Sequence, residues 1–313
     1  MRILIYGLSK SGTTFLHTMV KKSMENILHG SSQEVFEPYD IYETNGSLLY
    51  SKDGVNCHVE SNDNEIVKAL LDSGVSPTKI LRYQDYFDKK IFIVRDPRDR
   101  FISQTLYRWH RAHNPDKNKF ERTLRLVRHK ELYPKDIPTF FLFNQSHKSF
   151  SRFAKKITDL HLKVEKFLTA VNKDWLILKY EDLIDRNLGQ LEEYLTFPVE
   201  NNISVDKNHK GVIRTKSYGN WREWYSEEDV TFLKPIFKRY MCYLKYDFSD
   251  WKLEYPNSLP KSHGSEYMVH IFSGGNVELE AYFNSQEAAI TQYSITRDFK
   301  SLLFKLFGSS KFK

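Results

Sequence analysis

Cysteine is scarce in this chain. Only Cys57 and Cys242 occur among its 313 residues. That excludes a disulfide framework and a cysteine-built metal cluster, and leaves two reduced, partly buried thiols as the expectation. Long hydrophobic runs are missing too. No apolar stretch approaches the roughly 18–20 residues of a membrane-spanning helix, and mean hydropathy is −0.56. The apolar start, Met1 to Gly7, is too short for a secretory leader and runs straight into a glycine turn, so it reads as a buried first strand. A soluble, cytoplasmic protein without a transmembrane segment is expected. No internal repeat or low-complexity tract is present.

Hydrophobic residues make up 40% of the chain and aromatics 15%, enough for the core of one large α/β domain or two modest ones. The 47 basic and 40 acidic residues leave a net charge of +7. That surplus suits an anionic ligand, whether nucleic acid, nucleotide or glycan, without choosing among them.

The hydrophobic pattern alternates strand-like and helical stretches. Residues 2–6 form an apolar run, and Phe15, Leu16, Met19 and Val20 then recur at helical spacing. Ile91 to Val94 is a second run. A helical stretch with Phe101, Ile102, Leu106 and Trp109 follows Asp96-Pro97. Leu160, Val164, Phe167, Leu168 and Val171 mark a third helix before a strand at Trp175 to Leu178. Ser226 with acidic residues behind it reads as a helix start. Val230, Leu233, Phe237, Tyr240, Met241 and Leu244 line that helix, and Pro235 inside it should kink it or shift its start.

This alternation predicts a three-layer α/β fold, a central parallel sheet flanked by helices. One domain is expected over residues 1–250, with a C-terminal extension over 251–313. In the extension, 254–265 reads as a loop carrying Pro256, Pro260 and Gly264. Tyr267 to Phe272 and Val277 to Phe283 read as a β-rich stretch turning at Ser273-Gly274-Gly275-Asn276. Phe299 to Lys313 reads as a basic amphipathic helix. It would dock on the chain's own core or make a weak membrane-surface contact.

The first strand runs through Gly7-Leu8-Ser9-Lys10-Ser11-Gly12-Thr13-Thr14 into a helix. A glycine-bounded turn at a helix N-terminus makes a phosphate site, because free amides and the helix dipole both face the anion. The glycine spacing equals that of a Walker A loop, but that loop demands a lysine after the second glycine. Here threonine stands there, and the lysine lies inside the turn at Lys10. A Walker lysine and hydroxyl grip a β/γ-phosphate pair with Mg²⁺. A lysine within the turn reaches instead the oxygen bridging a 5′-phosphate to its terminal group, with Thr13 and Thr14 donating to the 5′-phosphate. A terminal sulfuryl group carries less charge than a phosphoryl, so the need for a metal falls. A glycine turn without a ligand is the plain alternative.

A second anion site is indicated by Arg95, where the run Ile91 to Val94 ends, and Ser103 eight residues on. Strand ends are where open α/β sheets place ligands, and a guanidinium and a hydroxyl so spaced suit one phosphate. The alternative is Arg95 paired with Asp96 or Asp99 on a solvated turn.

With these residues in view, the chain resembles the PAPS-dependent sulfotransferase family over about residues 2–248. Lys10-Ser11-Gly12-Thr13-Thr14-Phe15 is similar to its 5′-phosphosulfate loop KSGTTW, and Val94 to Ser103 to its 3′-phosphate motif. Leu176 to Leu183 resembles its strand ending in YEDL, and Arg214 to Trp221 its late RKGxxGxW element. The resemblance implies 3′-phosphoadenosine 5′-phosphosulfate (PAPS) as co-substrate, without a metal. It implies Lys10 at the bridging oxygen, and Ser9, Ser11, Gly12, Thr13 and Thr14 around the 5′-phosphate. It further implies Arg95, Ser103, Arg214, Thr215 and Lys216 at the 3′-phosphate, and Phe15 and Tyr180 at the adenine. Phe15 departs from the usual tryptophan, and Thr215-Lys216 departs from Lys-Gly.

In-line sulfuryl transfer needs a base for the acceptor hydroxyl. Glu37, in Val35-Phe36-Glu37-Pro38-Tyr39, resembles the Phe-Glu-Pro segment of carbohydrate-type members and is the favoured candidate. His58 and Glu60, expected near the end of the second strand, are the others. Arg98, Arg100, Arg108, Arg111 and His113 form a basic stretch suited to an anionic acceptor or a solvated face. The expected partner is a small-molecule or glycan acceptor rather than nucleic acid. An ATP-dependent kinase and an inactive binding module of the same fold are the rival readings.

Overall fold

The computed structural model describes residues 1–28, 32–44, 47–52, 55–58, 64–144, 150–200 and 214–285. The strands are β1 (Arg2–Gly7), β2 (Gln33–Phe36), β3 (Asp40–Thr44), β4 (Ser47–Lys52), β5 (Val55–His58), β6 (Glu65–Leu70), β7 (Lys89–Val94) and β8 (Trp175–Lys179). The helices are α1 (Thr13–Leu28), α2 (Pro77–Tyr83), α3 (Pro97–Tyr107), α4 (Lys117–Leu132), α5 (Thr139–Asn144) and α6 (Phe150–Ala170). They continue with α7 (Tyr180–Ile184), α8 (Gly189–Leu195), α9 (Trp221–Trp224), α10 (Glu227–Tyr243), α11 (Ser265–Ser273) and α12 (Val277–Ser285).

The chain divides into two compact units. The first comprises Met1–Arg100, Thr158–Lys210 and Arg239–Tyr246; the second comprises Phe101–Ile157, Gly211–Lys238 and Asp247–Lys313.

The first unit holds a five-stranded sheet of order β2-β6-β1-β7-β8, parallel throughout. Strands buried on both faces read as near-continuous apolar runs, and Ile3 to Tyr6 of β1 and Ile91 to Val94 of β7 supply them. Leu4, Tyr6, Val67, Ala69, Phe92 and Val94 face one core with Val164 and Phe167 of α6. Ile3, Ile5, Ile66, Ile91 and Ile93 face the other, with Leu16, Met19 and Val20 of α1 and Leu191 and Leu195 of α8. Helices therefore cover both faces, as the alternating pattern predicted. A separate antiparallel sheet, β3-β4-β5, was not anticipated. Glycine is required where β1 ends: a Cβ on Gly7 would lie 2.6 Å from the carbonyl oxygen of Ile93.

The second unit is helical and pinned by buried charges. The carboxylate of Asp229, fully buried, accepts the amides of Thr139 and Phe140 at 2.8 Å and that of Ser226 at 2.9 Å. It thus satisfies the start of α5 and the entry to α10, whose first amides have no intrahelical partner. The Lys130 ammonium donates to the carbonyls of Pro134 (2.7 Å) and Ile137 (2.6 Å). Phe120 of α4 stacks on Phe272 at 3.8 Å and meets Phe283 edge-on, which docks α11 and α12.

Residues 267–272 and 277–283 are helical, not the β-rich stretch expected. Tyr267, Met268, Val269 and Ile271 are all buried, and so short an apolar run has no period that separates strand from helix. Gly274, at φ +64°, is the left-handed cap of α11, and the Asn276 side chain accepts the Leu279 amide at 2.9 Å. The Gly-Asn signal thus marks a helix end followed by a helix start. Pro235 sits inside α10, which still begins at Glu227. Cys242 is exposed rather than partly buried. The expected helix over 299–313 lies outside the described residues. No helix among those described is long and apolar enough to cross a membrane.

Glu131, near the end of α4, accepts both the amide and the hydroxyl of Ser265. Burial pushes its carboxyl up from 4.5 to about 7, against the opposing pull of the Ser265 bonds. A folded value above the unfolded one means that the folded state holds the proton longer. This contribution to stability is therefore full below about pH 4.5 and is lost as pH rises to about 7. The urea midpoint of the wild type, minus that of Glu131→Gln, should fall across this window and level off above it. A difference independent of pH would refute the assignment.

Candidate active site

The loop between β1 and α1 is curled by two left-handed residues, Lys10 at φ +65° and Gly12 at φ +91°. The Ser11 amide returns to the Leu8 carbonyl at 3.2 Å. Left-handed residues in a tight turn aim successive amides into one concavity, the geometry that holds anions. The conformation costs a non-glycine residue about 1–3 kcal/mol and persists only where its surroundings enforce it. Here they do. Asp72, just beyond β6, accepts the Ser9 amide at 2.8 Å and the Ser9 hydroxyl at 2.6 Å. Arg100 donates to the Ser9 carbonyl at 2.9 Å and to Asp72 at 3.0 Å. Arg95 donates to the Lys10 carbonyl at 3.1 Å. Gly12 rests on Tyr180, whose ring would lie 2.4 Å from any Cβ there.

The loop feeds α1 at Thr13, so the first-turn amides and the positive helix end meet the same concavity. The Ser11 hydroxyl is fully buried and has no hydrogen-bond partner among the described residues. A buried donor at the mouth of a left-handed loop fits the oxygen of a bound phosphate, so the residues fit the 5′ end of PAPS. Ser9 differs, since Asp72 engages its hydroxyl.

Lys68, in the middle of β6, was not anticipated. Its ammonium donates to the Thr14 hydroxyl at 2.7 Å and to the Glu37 carboxylate at 2.5 Å. It also lies 3.9 Å from the centre of the Phe36 ring. Burial lowers its pKa, and the Glu37 charge opposes that shift. Glu37 follows β2 at φ +55°, with its amide on the Lys68 carbonyl at 2.7 Å. Lys10 and Glu37, two of the catalytic candidates, are thus both held left-handed, and Lys68 ties Glu37 to the phosphate loop. The signal in the sequence was a lysine interrupting the apolar run Ile66 to Leu71.

The second and third motifs meet at the ends of β7 and β8. The Arg95 guanidinium lies 4.2 Å from the centre of the Tyr180 ring. Glu181 accepts the Asp96 amide at 2.9 Å and the Tyr246 hydroxyl at 3.0 Å. Asp96 in turn grips Arg98 through its amide and guanidinium. Arg98 and Arg100 are each 4% exposed, and Arg108 donates to the Phe143 carbonyl at 3.2 Å. Burial lowers the Arg108 pKa to about 10. Arg98 and Arg100 are thus interior, Arg108 is half-buried, and Arg111 and His113 are exposed, so the stretch expected to receive an anionic acceptor or form a solvated face is divided between the two environments.

Phe15, half-buried, packs on the core beneath α1. His58 ends β5 in the antiparallel sheet, not the second strand, and Glu60 lies outside the described residues. Ser103, Arg214, Thr215 and Lys216 belong to the second unit. Ser103 is buried on α3. Arg214, 9% exposed, donates to the His263 carbonyl at 3.2 Å, while Thr215 is half-buried and Lys216 exposed. Trp221 of the same late motif packs against Trp251 with ring centres 5.8 Å apart. Among the described residues no group of His, Cys, Asp and Glu is arranged to hold a metal.

Three solved structures are similar to the chain. A mouse sulfotransferase complexed with PAP is 14% identical, with 78% of this chain and 88% of that one covered and a TM-score of 0.44. Retinol dehydratase with retinol and PAP is 17% identical, covering 82% and 84%, at a TM-score of 0.41. Retinol dehydratase with androsterone and PAP is 15% identical, with the same coverage and a TM-score of 0.42. No curated protein sequence matches the chain. The family model described as the sulfotransferase domain matches residues 1–259. With most of its length matched, the chain belongs to the sulfotransferase family, and its reaction is PAPS-dependent sulfuryl transfer.

Proposed function

We propose that the acceptor is a hydroxyl of a carbohydrate or other polar molecule, that Glu37 takes its proton, and that the enzyme works in the cytoplasm. In this reading residues 1–250 form the catalytic domain and 251–313 the extension. PAPS supplies an activated sulfuryl group and leaves as the 3′,5′-bisphosphate nucleotide. The loop amides with Ser11, Thr13 and Thr14 hold the 5′-phosphate. The Lys10 ammonium meets the bridging oxygen, where negative charge grows as the bond breaks, and fixed cations at such a point lower the barrier. Arg95, Ser103 and Arg214 take the 3′-phosphate, and Phe15 and Tyr180 border the adenine. Lys68 orients Glu37 for the acceptor proton.

The observation that supports this best is the Lys68 bridge from Thr14 to Glu37. It places a carboxylate one side chain away from the loop that would hold the donor. A base there serves in-line attack without any group from the antiparallel sheet. This favours Glu37 over His58 and Glu60. The lysine inside the turn, in place of a Walker lysine, favours sulfuryl over phosphoryl transfer.

Replacing Lys10 with Ala should lower kcat/KM by about 10²–10³-fold in a protein with an unchanged circular dichroism spectrum. Near-full activity in that folded variant would overturn its role. Glu37→Gln should lower kcat by about 10²–10⁴-fold and leave the Kd for PAP within a factor of two to three. Calorimetric titration and steady-state rates on one sugar-hydroxyl acceptor measure both. If Glu37→Gln keeps its kcat while His58→Ala loses it, the base is His58 and the present assignment is wrong.

A further inference from the structure

The C-terminal segment reaches back to one of the residues assigned to the nucleotide. Arg214 is buried, and its Nη1 donates to the main-chain carbonyl of His263 at 3.2 Å. His263 ends a single 3₁₀ turn, Lys261–His263, outside the catalytic domain expected over 1–250. One residue of α4 fixes this turn at both sides. The Glu131 carbonyl accepts the Leu259 amide at 2.8 Å, and its carboxylate accepts the Ser265 amide and, at 2.7 Å, the Ser265 hydroxyl. Between them, Gly264 comes so close that a Cβ would lie 2.3 Å from the Glu131 carboxylate and 3.2 Å from the Trp224 ring. The Arg214 guanidinium lies 5.9 Å from the centre of that same ring.

We propose that the turn over residues 259–265 is a positioning element for Arg214, with Glu131 and Gly264 as its positioning residues, so that the extension sets the grip on the 3′-phosphate. This rests on the reading of Arg214 as a 3′-phosphate ligand. Arginine loses rotamer entropy on binding, and ordering it beforehand transfers that cost from binding to folding. A carbonyl is a suitable holder: it accepts one N–H without cancelling the charge, as a carboxylate would. The need arises in this chain because Thr215-Lys216 stands where the family motif has Lys-Gly. The His263 carbonyl fixes the guanidinium from the C-terminal side.

The test is calorimetric titration of the full-length chain with PAP and with 5′-AMP, which differ only in the 3′-phosphate. The wild type should prefer PAP by about 100-fold, the worth of one or two charged hydrogen bonds. Glu131→Ala and Gly264→Ala should each cut that preference about tenfold while AMP affinity stays within twofold. Glu131→Gln, which can still bond Ser265, should restore most of it. An unchanged preference in folded variants would overturn the proposal, and so would equal weakening for both nucleotides, the sign of a merely structural role. Should the alanine variants fail to fold, Ser265→Ala removes a single hydroxyl and should still cut the preference about two- to threefold; no change there is equally fatal. If the wild type binds PAP and AMP alike, the 3′-phosphate reading itself fails, which is a different result from either.

Discussion

One buried ammonium couples the phosphate loop to the carboxylate beside it. A charge withdrawn from water costs several kcal/mol unless it is paired and fully hydrogen-bonded. Lys68 meets that condition with the Thr14 hydroxyl, the Glu37 carboxylate and the face of Phe36. The three partners come from three segments: the start of α1, the residue after β2, and β2 itself. None can be lost without leaving the ammonium underpaired in the protein interior. Glu37 therefore tolerates a left-handed backbone that a glutamate in a loose turn would avoid.

The same logic extends along one edge of the parallel sheet. Lys10 follows β1, Glu37 follows β2, Asp72 follows β6, Arg95 follows β7 and Tyr180 follows β8. Parallel strands all end at one side, so five separate sequence segments deliver residues just beyond their strands to that side. Asp72 and Arg100 then fix the backbone of the phosphate loop from outside it. The loop rests on rigid strands and a bidentate clamp rather than on its own short sequence. That is the condition for a site held to within a fraction of an ångström.

What could be read from the sequence follows from this arrangement. β1 and β7 were legible because their buried stretches are unbroken apolar runs, and β8 because Trp175 to Leu178 is apolar throughout even though Ile177 is exposed at the sheet edge. Arg95 was legible because it stands directly after such a run, and Lys10 because it lies inside the glycine-bounded turn that follows one. Lys68 was not, because a functional lysine inside a strand breaks the pattern that identifies the strand; only its partners, distant in sequence, explain it. Asp72 is an ordinary loop aspartate until the fold brings it to Ser9. The short strands β3 to β5 and the helices α11 and α12 escaped for another reason. Over six residues or so, period and composition do not separate strand from helix, and Gly274 serves a helix cap as well as it would a hairpin.

The basic surplus of the chain is also reinterpreted by burial. Several of its cations are interior, and the bonds that fix them differ in kind. Arg98 is held by Asp96 and Arg100 by Asp72, so each is neutralised where it stands and braces a turn. Arg95 is held on the Lys10 carbonyl and Arg214 on the His263 carbonyl. A carbonyl orients a guanidinium through a neutral acceptor. Arg98 and Arg100 brace turns through carboxylates, while main-chain carbonyls orient Arg95 and Arg214, the two proposed for the 3′-phosphate.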